Sequence, residues 1–204
     1  MNDTDAVFDA RLIRTAAVLM STDKVREPIC RVAVYVHDGH AIYAATDTYG
    51  LALVQGAGFW LTPAEMRAAV TGDPLFTLPA AEVKHLGKSV DVAKLEGEGD
   101  ARVLRFGPVT LRPSWDVECY PRIVSLVPNA HVVKLDSAIA FQARRMADMK
   151  SMQRAIESPL PARMRGESPW RLAHAIGSRN PSMWTYAQQD CGGITFLLMP
   201  VRVA

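Results

Sequence analysis

The N-terminal part of the chain has the apolar spacing of an amphipathic helix. Between residues 6 and 21, apolar side chains recur every three or four positions, at Phe8 and Leu12 among others. Arg11 and Arg14 fall together on another side of the same helix, three residues apart. The pattern predicts a helix with a buried apolar side and an outward basic side.

Two runs with the composition of β-strands follow this helix. In residues 29–36, Cys30, Val32, Val34 and Val36 alternate with the residues between them, as on the two faces of a strand. Residues 41–47 form a second run rich in strand-forming residues. Asp38-Gly39 lies between them, and this dipeptide accommodates the two positive φ angles of a tight hairpin turn. The sequence therefore predicts a β-hairpin.

A second group of elements is predicted from Thr62 onward. The tetrad Thr62-Pro63-Ala64-Glu65 has the form of a capping box with proline at the first helical position, which predicts a short helix to about Val70. Residues 76–78 have the pattern of a short strand. Pro79 then opens a second predicted helix that continues to about Val90.

The outward side of this second helix carries Lys84 and Lys88, four residues apart. Short strands are predicted after it at 92–95, 102–106 and 109–112, separated by glycine-containing turns. Both groups of elements therefore contain a helix with basic residues on its outward side, followed by short antiparallel strands. This common plan predicts an internal structural repeat.

The last part of the chain predicts one long helix among further strands. The helix is expected over 137–156 and carries Arg144, Lys150 and Arg154. Arg145 falls among its apolar positions, so either the helical register is shifted or Arg145 extends its charged end past the apolar stripe to solvent. The strands are expected at 132–135, 170–176, 183–188 and 194–203.

These elements predict an α+β fold made of repeated helix-plus-antiparallel-strand units, with the helices on one face and the sheets on the other. We divide the chain into a domain at 1–130 and a partial or minimal second domain at 131–204. Unpaired strand edges are expected at both ends of the chain, and such edges favour head-to-tail pairing between subunits.

Composition and charge narrow the class of protein. The chain has 204 residues, 49% of them hydrophobic and 22% charged, which is ordinary for a folded globular protein and argues against disorder. Residues 1–130 contain 13 Lys and Arg against 16 Asp and Glu, net −3, whereas residues 131–204 contain 10 against 5, net +5. The basic charge is therefore localised, as expected of a protein that contacts DNA with one surface.

The chain is expected to be a reduced, cytoplasmic protein without a membrane span. The sequence contains no run of about 20 apolar residues, and its first residues are acidic where a secretory signal is basic. Cys30, Cys119 and Cys191 are odd in number and far apart, which argues against a disulfide framework or a structural zinc.

The candidates for chemistry have simpler structural interpretations. His37 and His40 bracket the predicted turn. We interpret them as solvated histidines in preference to metal ligands, because no set of cysteines or carboxylates accompanies them. The sequence 56–58 is a lone Gly-Ala-Gly in a loop, with little to favour phosphate binding. We interpret Asp47 as a carboxylate at the end of a strand that accepts backbone hydrogen bonds, in preference to a general acid or base. We predict no active site and no cofactor.

Several short motifs along the chain have a recognisable order. Ala44-Ala45-Thr46-Asp47 ends the hairpin, and the apolar run Leu51-Ala52-Leu53 follows. Further along the chain are Phe76-Thr77-Leu78-Pro79-Ala80, Tyr120-Pro121, Leu126-Val127-Pro128 and Met199-Pro200-Val201-Arg202. Together these motifs resemble the bacterial replicative sliding clamp, the β subunit of DNA polymerase III, in a shortened form.

The resemblance covers the family's pattern only in part. Residues 7–130 are similar to the middle clamp domain and 132–204 to the latter part of the last domain, so the first domain and the opening half of the third have no counterpart. Thr48-Tyr49-Gly50 also stands where the family usually has a glycine and a basic residue before the leucine.

The resemblance implies a DNA-clamp fold and a non-enzymatic processivity factor. Such a protein encircles duplex DNA as a homo-oligomeric ring with helices lining the hole, and tethers a DNA polymerase after loading by a clamp loader. Sliding requires scattered cations that attract phosphates without reading bases. The predicted DNA-binding residues are Arg11, Arg14, Lys84, Lys88, Arg144, Lys150 and Arg154.

The resemblance also implies an apolar pocket for partner peptides between the middle and last domains. A shallow groove lined by methionine and proline can accept varied peptide side chains, because methionine repacks easily. A ring of three or four chains is expected. The alternative is a clamp-derived adaptor or inhibitor that binds the polymerase, the loader or a host clamp without encircling DNA. The predicted pocket residues are Thr46, Leu51, Pro128, Met199, Pro200 and Val201.

Overall fold

The chain alternates α-helices with antiparallel strands. The computed structural model describes residues 6–88, 91–128, 132–134, 143–176 and 182–198. The helices are α1 (Ala10–Ala17), α2 (Pro63–Ala69), α3 (Ala80–Val83) and α4 (Ala143–Ile156). The strands are β1 (Phe8–Asp9), β2 (Arg31–His37), β3 (His40–Thr46), β4 (Gly50–Gln55), β5 (Phe76–Pro79), β6 (Val92–Ala93), β7 (Leu95–Glu96), β8 (Val103–Phe106), β9 (Val109–Leu111), β10 (Val132–Lys134), β11 (Trp170–Ile176), β12 (Ser182–Gln188) and β13 (Gly192–Leu198).

Two three-stranded meanders join into one large sheet. Strands β2-β3-β4 form the first meander and β11-β12-β13 the second, and β4 pairs antiparallel with β13 from Gly50↔Leu198 to Gln55↔Gly193. The full order is β10-β11-β12-β13-β4-β3-β2-β5, with β10 parallel to β11. The last described strand, β13, is therefore central, and within the described residues it does not form the expected sheet edge. The predicted boundary at residue 130 stays a prediction, although strands from both sides of it pair here.

The structural repeat differs from the predicted one. Helix α1 precedes the first meander and α4 precedes the second, and the two helices contact each other on one face of the sheet. The repeat thus relates residues 10–55 to residues 143–198, not the first unit to the second. The middle segment instead forms a separate small sheet, β7-β8-β9.

The second predicted helix is much shorter than expected. Helix α3 ends at Val83, a 3-10 turn continues to Leu86, and Gly87 then takes a φ of 55°. This left-handed backbone suits glycine and terminates a helix. Residues 89–90, at the predicted end, lie outside the described residues.

Two predictions from short sequence motifs, a hairpin turn and a helix cap, are confirmed. Asp38 and Gly39 have φ angles of 50° and 77°, as the predicted hairpin turn requires, and His37 pairs with His40. The capping box is complete, because the Thr62 hydroxyl accepts from the Glu65 amide while the Glu65 carboxylate accepts from the Thr62 amide.

Replacing Thr62 with alanine is expected to destabilise the fold by about 1 kcal/mol, because an N-terminal amide of α2 loses its acceptor. Urea unfolding measures the effect. Thr22→Ala changes another solvent-exposed threonine, which lies outside any helix, and is expected to have a much smaller effect. Equal losses in both variants would contradict the assigned cap.

Apolar side chains cover both faces of the large sheet. One core lies between the sheet and helices α1 and α4, and the opposite core lies beneath α2 and the segment 120–127. The first contains Phe8, Ile13, Tyr43, Phe76 and Phe196, and the second contains Leu51, Leu53, Met66, Tyr120 and Met183. The strands supply both cores because successive side chains point to opposite faces.

Candidate nucleic-acid interface

Helix α4 has one buried side and one basic, solvent-exposed side. The residues of its buried side are Arg145, Met149, Met152 and Ile156, which cluster on one side at 3.6 residues per turn. Exposed on the opposite side are Arg144, Ala147, Lys150, Ser151 and Arg154. This exposed side has three cations and no carboxylate, so it presents a positive stripe to solvent.

The segment after α3 adds two exposed cations on the same side of the sheet. Val83 and Leu86 pack into the helix-side core, which leaves Lys84 and Lys88 exposed. Helix α3 also contacts α1, the neighbour of α4. Five of the seven predicted DNA-binding residues are thus solvent-exposed in the helical layer; that they bind DNA stays a prediction.

The two arginines of α1 are placed differently from the prediction. Arg11 is 7% exposed, and its guanidinium donates to the Ile156 and Cys191 carbonyls at 2.7 and 2.8 Å and pairs with Asp9 at 3.0 Å. The expectation that Arg11 lies on an outward face is wrong, because it joins α1 to the end of α4 and to the turn before β13.

Arg14 is half-buried and donates to the Gly87 carbonyl at 2.7 Å. Burial lowers the pKa of Arg14 from its ordinary value. The side chain therefore ties α1 to the end of the α3 segment, and its guanidinium is less open to solvent than the cations of α4.

The position of Arg145 explains why an arginine falls among the apolar positions of α4. Its side chain is 4% exposed, and the Nη1 atom lies 2.6 Å from Asp47 Oδ2 and 3.2 Å from Asp148 Oδ2. The helical register predicted from the sequence is correct, and Arg145 is held inside by two carboxylates instead of extending to solvent. Its guanidinium also lies 5.5 Å from the centre of the Tyr49 ring.

Asp47 has the structural role predicted for it. Its Oδ1 atom accepts from the amides of Tyr49 and Gly50, both at 3.1 Å, which shapes the turn between β3 and β4. Thr48 in this turn has a φ of 79°. The ion pair with Arg145 was not predicted, and the only signal for it was one arginine among apolar helix positions.

Three residues of the predicted peptide pocket lie toward the face opposite α1 and α4. Thr46 is buried and donates to the Gly50 carbonyl at 2.7 Å, and its neighbour across the strands is Leu51, which is 1% exposed in the second core. Pro128 is half-buried and follows Val127 of the same core. Met199, Pro200 and Val201 lie outside the described residues, so the pocket as a whole stays a prediction.

The remaining candidates show no metal-binding geometry in the described part of the chain. His40 stacks on Phe59 with ring centres 4.2 Å apart, and His37 lies 3.7 Å from Asp38. Within the described ranges, no three His, Cys, Asp or Glu side chains are grouped so that they could hold a metal ion. Cys30, Cys119 and Cys191 are free thiols. None of the described helices is both long and apolar enough to span a bilayer.

A sheet with two adjacent helices on one face, repeated as α-β-β-β units, defines an α+β clamp fold. Solved structures of bacterial DNA polymerase III β sliding clamps share this fold. The β sliding clamp of C. crescentus has a TM-score of 0.61 and 16% identity over 97% of this chain and 65% of the clamp. The DnaN clamp of Bartonella birtlesii has a TM-score of 0.58 and 16% identity over 97% and 66%.

A DnaN clamp of Pseudomonas aeruginosa, solved with griselimycin, has a TM-score of 0.57 and 12% identity over 100% of this chain and 67% of the clamp. The chain thus has a shortened sliding-clamp fold and spans about 65% of the length of the C. crescentus clamp. No protein-family model matches the sequence, and no curated protein matches it significantly. The fold class predicted from the sequence is confirmed.

Proposed function

We propose that the protein is a non-enzymatic, sliding-clamp-like processivity factor. In this proposal it encircles duplex DNA as a homo-oligomeric ring in the cytoplasm and tethers a DNA polymerase after loading by a clamp loader. The observation that carries the proposal is the exposed side of α4, where Arg144, Lys150 and Arg154 face solvent without a carboxylate.

A surface of scattered cations suits a protein that slides along DNA. Phosphates attract Lys and Arg regardless of base sequence, so scattered cations give affinity without a preferred register. The exposed cations of α4 and of the α3 segment lie in the helical layer. On the exposed side of α4, no Asn or Gln that could read bases lies beside them. In the sliding-clamp family that the chain resembles, the helices of this layer line the hole of the ring.

In this proposal, ring formation pairs neighbouring chains at the ends of the large sheet. Among the strands that the structure describes, β10 is the terminal one at one end, with β11 as its neighbour. At the other end, β5 is partly covered, because Thr77 and Ser114 exchange backbone hydrogen bonds of 2.9 and 2.8 Å. In this proposal the β10 end of the described sheet supplies the edge for head-to-tail pairing.

Lys150→Ala/Arg154→Ala is expected to lower the affinity for duplex DNA and to reduce its salt dependence. Each lost phosphate contact lowers the slope of log K against log salt by about 0.9, so the double variant is expected to lose about 1.8. Fluorescence anisotropy over a salt series measures it. Arg122→Ala, which removes an exposed cation beside the opposite core, is the matched control and is expected to leave the slope unchanged.

Encirclement has its own test. A loaded ring is expected to stay on closed circular DNA through a high-salt wash and to leave after the circle is cut. Equal retention on circular and linear DNA would rule out encirclement while leaving DNA binding intact.

A second candidate function is a clamp-derived adaptor or inhibitor that binds replication proteins without encircling DNA. The observation that favours it is on α1, where Arg11 is buried and Arg14 is half-buried and bonded to the Gly87 carbonyl, so this helix presents little free positive charge to DNA. Light scattering separates the two candidates, because a stable monomer cannot form a ring.

A further inference from the structure

A groove lies beside α4, on the same side of the sheet as the proposed DNA surface. Its volume is about 440 Å³, and it runs between α4, strands β11 and β12, and the segment 165–166. We call it the α4 groove and define it by Met146, Met149, Lys150, Arg154, Trp170 and Trp184.

Two methionines and two tryptophans form the apolar part of the α4 groove. Met146 is 50% exposed although it is a large hydrophobic residue, and Met149 lies buried below it. The half-buried indole rings of Trp170 and Trp184 come from the neighbouring strands β11 and β12. An exposed methionine above buried apolar side chains is typical of a surface that accepts varied apolar groups.

An internal hydrogen-bond network holds one side of the groove in place. Gln153 accepts from the Trp170 indole at 3.1 Å and donates to the Ser168 carbonyl at 3.2 Å. Glu157 is 1% exposed and accepts from the Tyr186 hydroxyl and from the Gly166 amide at 2.8 Å. Because these partners lie within the protein, the groove is preorganised.

The rim of the groove is positive. Lys150 and Arg154 are exposed one helical turn apart, and Arg165 lies on the other side. The one carboxylate among the lining residues is Glu157, which is buried and hydrogen-bonded. Burial and the Glu157 carboxylate together raise the pKa of Tyr186, so its hydroxyl stays protonated and continues to donate to Glu157. An occupant that complements this groove is apolar at its centre and anionic at its ends.

From this geometry we infer that the α4 groove docks an acidic peptide segment of a protein partner, with an apolar side chain as its anchor. Single-stranded nucleic acid fits less well, because base stacking needs an open ring face and Trp170 already packs on Tyr186 and Phe196. Lys150 and Arg154 belong both to this groove and to the proposed DNA surface. Docking would therefore compete with duplex DNA, and this competition, unlike the docking itself, rests on the proposed function.

The probe is a fluorescein-labelled peptide, Asp-Glu-Leu-Phe-Asp-Glu, followed by fluorescence anisotropy at low salt in the absence of DNA. The full chain is expected to bind it saturably, and a peptide with Ser-Ser in place of Leu-Phe is expected to bind at least about tenfold more weakly. Met146→Gln keeps the charge and length but removes the apolar wall, so it is expected to weaken binding by about tenfold. Ala147→Gln, at an exposed position outside the groove, is the matched control and is expected to bind normally.

Thermal unfolding of both variants shows whether they are folded, and the duplex affinity of Met146→Gln is expected to be unchanged because no charge is altered. Absence of saturable peptide binding, or equal binding by Met146→Gln and the parent chain, would overturn the docking site. Binding of an oligothymidylate that Met146→Gln weakens, without peptide binding, would assign the groove to nucleic acid and also overturn it. Peptide binding without any duplex binding would instead refute the proposed DNA function and leave the docking site in place.

Discussion

Arg145→Met is expected to destabilise the fold by about 3–5 kcal/mol, the cost of leaving partners of a buried ion pair uncompensated. Arg145 is 4% exposed and faces two carboxylates, Asp47 at 2.6 Å and Asp148 at 3.2 Å. Methionine fills much of the space but cannot neutralise either carboxylate. Because Asp47 shapes the β3–β4 turn, the loss would also loosen the joint between that turn and α4.

Matched variants separate this ion pair from general effects. Arg144→Met makes the same substitution on the exposed neighbour and is expected to change the free energy of unfolding by less than about 0.5 kcal/mol. Adding Asp148→Asn to Arg145→Met is expected to recover part of the loss, since one of the two partly buried carboxylates left without Arg145 becomes neutral. Similar destabilisation by Arg144→Met and Arg145→Met in urea unfolding would contradict the assigned role.

The loss caused by Arg145→Met is expected to depend on pH. Burial raises the pKa of Asp148, whereas Arg145 lowers it, so the pKa rises further when Arg145 is removed. A carboxyl whose pKa is higher in the folded than in the unfolded chain binds more protons when folded, so stability falls as pH rises through that range. The variant should therefore approach the parent chain in stability as the pH is lowered toward the pKa of Asp148.

Gly192→Ala is expected to cost about 3 kcal/mol or more, because the added methyl group has no space and the backbone is unsuited to it. Gly192 has a φ of 106°, and a Cβ atom there would lie 2.3 Å from the Gln55 carbonyl oxygen. This backbone oxygen cannot move away without disturbing β4. The clash falls where β4 meets β13, so it would weaken the junction of the two meanders.

Gly166→Ala is the control for Gly192→Ala. Gly166 also has a positive φ, 79°, but a Cβ atom there meets nothing within 4 Å. The control is therefore expected to cost only the backbone strain, about 1–2 kcal/mol. Comparable losses in denaturant-induced unfolding of both variants would show that the contact with Gln55 is not the source of the effect.

The elements that the sequence predicted well are those whose signals are local. Asp38-Gly39 determines a hairpin turn through the φ angles that it permits, and Thr62 with Glu65 caps α2 within four residues. Strand β11 spans the predicted residues, 170–176, and a loop rich in proline marks its start. Such features require no knowledge of distant parts of the chain.

The errors concern contacts between distant residues. Arg11 has the spacing of an exposed helical residue, but its guanidinium binds carbonyls of Ile156 and Cys191, far along the chain. The predicted length of α3 is wrong because the apolar spacing continues past Gly87, where the backbone turns. The predicted repeat relates the wrong pair of units, because neighbours in sequence need not be neighbours in the sheet and β4 pairs with β13.

By itself, the sequence determined the class of fold, the positions of most strands, the basic side of α4 and the ordered motifs that resemble a sliding clamp. Periodicity, turn residues and caps act over a few residues, so the sequence alone reveals them. Only the tertiary structure decided which helices lie side by side, which arginines are buried, and that Arg145 pairs with Asp47. These depend on the pairing of β4 with β13, which brings residues 10–55 against 143–198 and thereby sets which side of each helix meets solvent.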